Sequence, residues 1–480
     1  MLRHGVSLDT AICTQLNKIF KNFTTFVSIT SWKVIFAAMI ALIKGLQLLL
    51  SLSLLVVLHE LGHYLAARYF KTRVEKFYLF MNPGFSLFKK QIGDTEWGIG
   101  WLPLGGYVKI SGMIDESMDK EQMAKPAEPW EFRSKPAWQR LIIMLGGIIV
   151  NLIVGFLIYS MILLVWGKTI LPNKYAVDID PRLELLGFQN GDQIISFNGE
   201  ELETFRDVRT TAFFEPVNEA LINRNGVEKV LSFKKELGQV LIDEGIRRPF
   251  SLQVPPVINS VNSDSRAEKA GLVAGDLILR VNDNFVISQQ QTVNAFQSYP
   301  NSPVVVHIER DREKLSLPVM TDSLGHIGFT MESPASFSEM FVQEKIEYGA
   351  LDALVSGFFM AGTTLQEYAL SLRFLASKSG ASQVGSLITF GSIFDGGWDW
   401  LVFWRNTAFF SLILAFMNLL PIPALDGGHV VFLLYEIVVG KPAPEKIMEI
   451  AQVIGITLLL GLMVFALGND FWRLFTGGFG

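Results

Sequence analysis

The sequence contains little cysteine, histidine and charge, and each shortage narrows the classes of protein that it could encode. Cys13 is the only cysteine in 480 residues, so an intrachain disulfide and a cysteine-ligated metal cluster are both excluded. Charged residues make up 18% of the chain and the net charge is −5, which gives no reason to expect nucleic-acid binding. Only six histidines are present. Any metal site must therefore combine a few of them with Asp or Glu.

Hydrophobic residues, by contrast, make up half of the chain, which is typical of membrane spans combined with soluble parts. A spanning helix needs about 20 mostly apolar residues. We therefore predict a polytopic α-helical membrane protein with four transmembrane helices. They lie at 34–70, 141–166, 401–420 and 447–467. An amphipathic extension, 1–33, precedes the first helix, which we expect to be retained rather than removed as a signal peptide.

Basic residues indicate the orientation of these helices. Lys and Arg cluster at both ends of the loop 71–140, and by the positive-inside bias this loop is cytoplasmic. The region between the second and third helices then lies outside the cytoplasm. Within it, 340–400 contains an apolar segment, Tyr348 to Leu365, that hydropathy alone leaves open as a fifth span.

The sequence His59-Glu60-Leu61-Gly62-His63 at the end of the first span is an HExxH motif. Residues four apart share one face of a helix, so both imidazoles can bind one zinc ion. Glu60 can then act as the general base towards a zinc-activated water. A chance match and a structural histidine pair are the alternatives. Ionisable residues after an apolar run favour the metal, because they are costly to bury and are usually functional.

A third metal ligand is expected from another span, since catalytic zinc takes three protein ligands. The segment 421–446 begins with Pro421-Ile-Pro-Ala-Leu-Asp426-Gly-Gly-His429, and its prolines and glycines predict an irregular backbone at membrane depth. Asp426 is the predicted ligand. Two alternatives remain: His429 could be the ligand instead, or Asp426 could be an ordinary turn aspartate without a functional role. Asp426 shares the depth of the histidines only if Tyr348–Leu365 is not a span, so we predict an amphipathic helix on the outer membrane surface there.

HExxH in the first span and Asn418-Leu-Leu-Pro-Ile-Pro-Ala-Leu-Asp426-Gly closing a later span resemble the site-2 protease family of intramembrane metalloproteases, of the bacterial regulator-of-sigma-E protease (RseP) type. The resemblance implies zinc bound by His59, His63 and Asp426, Glu60 as catalytic base, and Asn418 as a substrate contact. It also implies a multi-pass protein of the bacterial inner membrane, with anti-sigma factors and signal-peptide remnants as substrates. The chain departs from the family's G-P-x-x-N pattern, reading Gly147-Ile-Ile-Val-Asn151.

The cytoplasmic-side loop contains a segment, 95–110, whose apolar residues are interrupted by Gly and Pro and which predicts a β-hairpin. An extended substrate could be held by strand addition, although an ordinary surface hairpin fits the pattern equally well. The family resemblance implies a membrane-associated β-hairpin near the active site. Gly105, Gly106 and Tyr107 are therefore predicted substrate-binding residues.

An internal repeat lies between the second and third spans. Gly187, Gly191 and Asp192 recur as Gly271, Gly275 and Asp276, at a constant offset of 84 residues. Each copy resembles the G-x-x-x-G-D signature of PDZ domains, so we predict tandem PDZ (β-rich α+β) domains at 170–253 and 254–335. Such domains bind extended peptides; the alternative is that they are spacers that cover the membrane site.

Two other classes of protein remain open at this stage. A membrane scaffold with a structural metal would use four protein ligands rather than three with a nearby Glu60. A transporter would use intramembrane ionisable residues as an ion path, but transporters commonly repeat their spans rather than a soluble part.

Overall fold

The computed structural model describes residues 8–103, 105–113, 126–246, 248–375 and 385–476. Parts of the predicted ranges 1–33, 71–140 and 340–400 lie outside these residues. The chain divides into two compact units. A mainly helical unit is formed by the two ends of the chain, up to Trp166 and from Tyr348 onward, and a β-rich unit is formed by Gly167–Glu347.

The helical unit contains long apolar helices. Their bounds are α1 Leu8–Tyr69, α2 Ala137–Trp166, α7 Ala350–Leu375, α8 Leu387–Ser392, α9 Trp400–Leu419, α10 Asp426–Val439 and α11 Glu445–Thr476. Among the described residues, four segments are long and apolar enough to cross a membrane: Ala38–Tyr69, Ala137–Trp166, Trp400–Leu419 and Lys446–Trp472. These four candidates agree in number and approximate position with the four predicted spans. The helix α1 begins at Leu8, so no break separates the extension from the first span.

Small residues set the contacts between the first three spans. A Cβ on Gly62 of α1 would lie 2.3 Å from the Gly146 carbonyl oxygen, and one on Gly155 would lie 2.7 Å from Leu412 Cδ2 of α9. Only glycine allows backbones to approach this closely. Between α9 and α1, Thr407 Oγ1 donates a hydrogen bond to Ser51 Oγ at 2.9 Å, which links the two helices inside the apolar core.

The helix α7 covers the segment that hydropathy left open. It is not among the four candidate spans, yet it packs along the sides of α2 and α9. Phe358 contacts the ring of Phe156 with centroids 5.8 Å apart, and Tyr368 contacts Phe409 and Phe416 at 6.1 and 5.6 Å. A helix lying on the outer surface would touch the spans only at their ends. The lengthwise packing therefore differs from the surface helix predicted from the sequence.

The loop after α1 forms a four-stranded sheet, and here the predicted hairpin is wrong. Its strands are β1 Val74–Leu79, β2 Met81–Ile92, β3 Thr95–Leu102 and β4 Tyr107–Ile110. Their order is β2-β3-β1-β4, so β1 separates the two strands of segment 95–110, parallel to β3 and antiparallel to β4. The hairpin is β2–β3, closed by Gly93-Asp94 with Gly93 at φ +59°, a pair suited to a two-residue turn.

A glycine of β3 makes room for a large side chain of β1. A Cβ on Gly98 of β3 would lie 2.2 Å from the Tyr78 ring of β1, so only glycine leaves room for that ring between the strands. Gly105, at φ +122°, then carries the chain across β1 in a conformation that other residues rarely adopt.

The β-rich unit is a duplication. Its strands are β5 Lys168–Ile170, β6 Val177–Ile179, β7 Gln193–Phe197, β8 Glu200–Glu201, β9 Glu219–Arg224, β10 Val227–Ser232, β11 Phe250–Leu252, β12 Ile258–Val261, β13 Leu277–Val281, β14 Asn284–Phe285, β15 Pro303–Arg310, β16 Glu313–Met320, β17 Phe329–Met331 and β18 Glu344–Ile346. Its helices are α3 Phe205–Phe214, α4 Leu237–Asp243, α5 Arg266–Lys269 and α6 Gln289–Gln297. One sheet has the order β10-β9-β7-β8 and the other β14-β13-β15-β16, which is the same arrangement read from opposite edges.

The two halves also repeat their internal contacts. Each has its own apolar core, one from Val177 to Phe250 and one from Ile258 to Ile327. Asp192 and Asp276, the aspartates of the sequence repeat, are both fully buried. Each is paired with an arginine on the third strand, in chain order, of the four-stranded sheet of its half. Corresponding residues in the two halves thus form the same buried ion pair.

Candidate metal centre

The helix α1 places the two histidines of the HExxH motif on one face. Their Nε2 atoms lie 3.2 Å apart and their rings meet edge to face, with centroids 4.8 Å apart. His63 is buried, with 5% of its surface exposed. Two imidazole nitrogens this close are either bridged by a cation or held together by packing. The surrounding residues distinguish these cases.

Asp426 reaches the histidines because the chain leaves α9 irregularly and re-enters a helix at that residue. Ala424 lies at φ +81°. Gly427 and Gly428 then fit against the preceding turn, since a Cβ on Gly427 would meet the Leu420 carbonyl at 2.2 Å. As a result, Asp426 Oδ2 lies 3.2 Å from His59 Nε2 and 3.4 Å from His63 Nε2.

These separations fit a tetrahedral metal. Zinc bonds of about 2.0–2.1 Å in tetrahedral geometry put ligand atoms roughly 3.3 Å apart. The three observed separations, 3.2, 3.2 and 3.4 Å, match that spacing. Within the described part of the chain, Asp426 Oδ2 is also buried without a hydrogen-bond partner. A buried carboxylate oxygen in this state is costly, and a bound cation between the three side chains would remove the cost.

The histidine pair is backed by α2. His63 Nδ1–H donates to the Ile143 carbonyl at 2.8 Å, which fixes the tautomer with the Nε2 lone pair directed at the other two donors. Behind both rings lies Gly147, where a Cβ would be 2.5 Å from His63 Nε2 and 2.6 Å from His59 Cε1. No larger residue fits at this position without displacing the imidazoles.

Asn151 is the polar neighbour of the other histidine. Its side-chain amide nitrogen lies 3.3 Å from His59 Nδ1, and its Oδ1 is buried without a hydrogen-bond partner among the described residues. Turning this amide by 180° would place Oδ1 where it accepts a bond from His59 Nδ1–H. Both histidines would then present Nε2 to the metal.

The remaining predicted residues lie at different distances from the centre. Asn418 Nδ2 is 3.3 Å from His59 Nε2, so its amide borders the metal position. Glu60 is half-buried, and a Cβ on Gly106 would lie 3.5 Å from Glu60 Cγ. Gly106 thus brings the sheet against α1 beside the predicted base. Tyr107 makes its contacts within the sheet. Its ring stacks on Tyr78, with centroids 5.3 Å apart, and its hydroxyl donates to Asn82 Oδ1 at 3.0 Å.

Some residues were missed or placed differently by the sequence. His429, the alternative ligand, lies outside the described metal-binding group of His59, His63 and Asp426 and lines a neighbouring cavity. Asn151 and the Ile143 carbonyl were not predicted as site residues. The signal for Asn151 was its match to the last residue of the family's G-P-x-x-N pattern; a backbone carbonyl leaves no signal in a sequence.

Two imidazoles, one carboxylate and an adjacent glutamate within apolar helices define a membrane metallopeptidase. The chain belongs to peptidase family M50, whose model matches residues 47–462. It is a zinc metalloprotease of the site-2 type.

Several relatives share nearly the full length. The regulator of sigma E protease of Haemophilus influenzae is 31% identical over 451 residues, covering 89% of this chain and 98% of its own. Protease RseP of Yersinia pestis is 30% identical over 455 residues, with the same coverage. A protein of Vibrio cholerae serotype O1 named "Putative zinc metalloprotease" is 28% identical over 460 residues, again covering 89% and 98%.

Proposed function

We propose that this protein hydrolyses peptide bonds in or near the transmembrane segments of other membrane proteins, with the zinc held by His59, His63 and Asp426. The observation that carries the proposal is the triangle of donor atoms with tetrahedral spacing at the end of an apolar helix. Such a site is useful only to a substrate that reaches membrane depth. Family membership supports the same reaction class.

Each polar residue of the site then has a role. When bound, zinc acts as a Lewis acid and lowers the pKa of water to about 7. Glu60 accepts a proton during attack on the peptide carbonyl and returns it to the leaving amine. Asn418, beside His59, donates to the substrate backbone near the scissile bond. The Ile143 carbonyl and the Asn151 amide hold the two imidazole rings in place, with Nε2 of each directed at the metal position.

A helical substrate hides its backbone, so the substrate must be extended before it is cut. The four-stranded sheet offers edges for strand addition, and Gly106 brings it against α1 beside Glu60. We propose that Gly105, Gly106 and Tyr107 border the path of the extended substrate. Because positions 105 and 106 are glycines, no side chain at either position narrows the proposed path to the metal.

The β-rich unit is proposed to be a pair of PDZ domains that selects substrates. Its two halves share strand order, separate cores and buried ion pairs, and PDZ domains bind extended peptides. Because basic residues cluster in the loop 71–140, we propose that this loop is cytoplasmic. The unit would then lie on the periplasmic side of the bacterial inner membrane and the metal near the cytoplasmic side. We propose that it admits substrates already trimmed of bulky outer domains. Deletion of 170–330 without any change in cleavage of full-length substrates would contradict this role.

Membrane-spanning anti-sigma factors and signal-peptide remnants are the proposed substrates. The name of the Haemophilus influenzae relative, regulator of sigma E protease, supports the first class. Signal-peptide remnants are included because they too present a short apolar helix without an outer domain, which suits the proposed selection by size.

The test is cleavage of a single-span model substrate by purified protein in detergent, comparing the native chain with Glu60→Gln. We expect the variant to cleave about 10²–10⁴-fold more slowly while its zinc content is unchanged, because the three ligands remain. Equal cleavage by both proteins would contradict Glu60 as the base. Bound zinc without cleavage of any substrate by the native chain would favour a metal-bearing scaffold instead.

A further inference from the structure

A cavity of about 330 Å³ lies beside the metal centre in the helical unit. Its walls come from the loop after β4, the segment before α2, the loop before α10, α10 itself and the start of α11. They are mainly apolar: Met113, Phe132, Pro423, Phe432, Leu433 and Met448. The volume is at the small end of the range of about 300–1,000 Å³ for ligand pockets. It suits one large side chain or a short apolar tail rather than a folded partner.

Residues that line the cavity lie close in sequence to Asp426, the proposed metal ligand. Pro423 and Ala424 line it, and Asp426 follows two residues after Ala424, so their Cα atoms are at most about 8 Å apart. An extended peptide advances about 3.3 Å per residue. A substrate residue two to four positions from the scissile bond is therefore within reach of the cavity.

The contacts of α10 indicate on which side of the scissile bond the cavity lies. Val430 packs with Met144 of α2, and near the far end of α10 Glu436 pairs with Arg140 close to the start of α2. The cavity thus lies on the side of the metal that faces the basic loop. By the proposed orientation, this is the cytoplasmic flank of the scissile bond.

Charges around the cavity are already compensated. Arg140 is paired with Glu436 and its guanidinium carbon lies 5.9 Å from the centroid of the Phe132 ring. Arg133 Nε donates to Glu131 Oε2 at 2.6 Å. Because each cation has its own carboxylate, an acidic ligand would gain little attraction and would lose its hydration. The lining therefore favours an uncharged, apolar occupant.

We propose that this cavity is a specificity pocket that receives an apolar substrate side chain two to four residues from the scissile bond, on the flank facing the basic loop. The inference rests on the proposed protease function and adds a sequence preference to it. A phospholipid acyl chain is the competing occupant, and the experiment below separates the two.

Two substitutions change the pocket in opposite directions. Ala443→Phe fills it from the loop before α11, and Phe432→Ala enlarges it from α10; both residues line the cavity and neither belongs to the metal centre. Val438→Phe is the matched control for the added phenylalanine. Val438 lies on α10, as Phe432 does, but it is 84% exposed and does not line the cavity.

The experiment measures cleavage of single-span substrates that carry Ala, Leu, Phe, Trp or Asp at each position two to four residues from the cut. The native chain and Val438→Phe should prefer Leu or Phe to Asp by at least about 10-fold at one position. Ala443→Phe should reduce this preference to near that for Ala, and Phe432→Ala should shift it towards Trp. An identical order of substrates in all four proteins would overturn the proposal.

Two further readouts distinguish the other outcomes. If Ala443→Phe lowers co-purified phospholipid and slows every substrate equally, the pocket holds a lipid and the proposal is wrong. If the native chain cleaves nothing, the proposed function fails, and the pocket is tested separately by photocrosslinking. A benzophenone side chain placed in turn at each position of the substrate span should then crosslink to α10 of the native chain from at least one position, and at least about 10-fold less to α10 of Ala443→Phe. Undiminished crosslinking would overturn the proposal.

Discussion

Two buried aspartates of the β-rich unit, Asp192 and Asp276, are held differently from Asp426 of the helical unit. In the β-rich unit, Asp192 accepts two hydrogen bonds from Arg224, at 2.7 and 2.9 Å, and one from the Gln189 N–H at 2.8 Å. Asp276 repeats this arrangement with Arg310 and the Val273 N–H. In the helical unit, Asp426 has a buried oxygen without a hydrogen bond, directed at two imidazole nitrogens.

The difference separates a structural carboxylate from a functional one. A buried charge must be compensated. Asp192 and Asp276 are compensated by the chain itself, so each closes a domain core and needs nothing further. Asp426 is left with one oxygen for which the described residues provide no proton donor, and this makes it suitable for a cation supplied from outside.

The largest effect is expected from removing these carboxylates in turn. Asp426→Ala should lower the zinc content from about one ion per chain to near zero and reduce cleavage to background, because two imidazoles alone do not complete a catalytic site. Asp276→Ala, the matched change in the other unit, should leave the zinc content unchanged. Metal analysis of both purified variants tests this. Full zinc occupancy in Asp426→Ala would contradict the assigned ligand set.

The next effect concerns stability of the β-rich unit. Arg224→Leu leaves Asp192 buried and unpaired, and we expect a loss of about 3–5 kcal/mol. Arg310→Leu should cost less, because the Arg310 side chain is 30% exposed against 16% for Arg224. Hydrogen exchange of residues 167–347 in the full chain measures both.

Arg182→Leu is the control for these two variants. The Arg182 side chain, paired with Asp180, is 45% exposed, and an exposed pair of this kind contributes only about 0–1 kcal/mol. Equal losses in Arg182→Leu and Arg224→Leu would show that burial of the ion pair does not set its importance.

The sequence was sufficient to place residues whose positions follow from local spacing. His59 and His63 lie four apart on one helix, and Asp426 follows two prolines and precedes two glycines; both patterns fix where the side chains go. The repeated Gly-Asp turns likewise predicted a duplication, because each turn folds locally. The four spans followed from length and composition alone.

Long-range packing was not predictable in this way. In the order β2-β3-β1-β4 the Tyr78 ring of β1 lies against Gly98 of β3, a contact between strands that no local pattern encodes. The Gly93-Asp94 turn was a readable hairpin signal, but the Pro- and Gly-rich segment 103–106 resembled a second one. The path of α7 is set by its fit to α2 and α9, since hydropathy cannot distinguish a helix packed on spans from one on the membrane surface.

Asn151→Ala tests whether support of the metal centre extends beyond its ligands. Loss of an outer partner typically weakens metal affinity about 10–100-fold, and we expect this from zinc competition with a chelator. Asn406→Ala is the control: Asn406 is also buried, and it donates to the Ile393 carbonyl at 3.0 Å. Equal zinc affinities in the two variants would mean that Asn151 only fills space.

The smallest effect is expected at Asp178, a third buried aspartate of the β-rich unit, which has no arginine. Gln253 and Gln291 donate to its Oδ1 at 3.0 and 2.9 Å, while its Oδ2 is buried without a hydrogen-bond partner among the described residues. Burial raises the pKa of this carboxyl above 3.8. Neutral amides compensate a charge less than a guanidinium does, so Asp178 is intermediate between Asp192 and Asp426. Gln291 lies in the second half of the unit, so the carboxyl also joins the two halves.

The sign of its pH dependence follows from that raised pKa. The stabilising contribution of Asp178 is complete below the unfolded-state pKa of 3.8 and is lost as the pH rises through the folded-state pKa. Asp178→Asn keeps an oxygen acceptor and removes the titration. Relative to the native chain, the variant should therefore gain stability as the pH rises from 3.8 through the raised folded-state pKa, and it should stay within about 1 kcal/mol of the native chain. Hydrogen exchange of residues 167–347 across this range measures the difference. A pH-independent difference would show that the carboxyl is as well compensated as Asp192, and that amides can replace arginine in holding a buried charge.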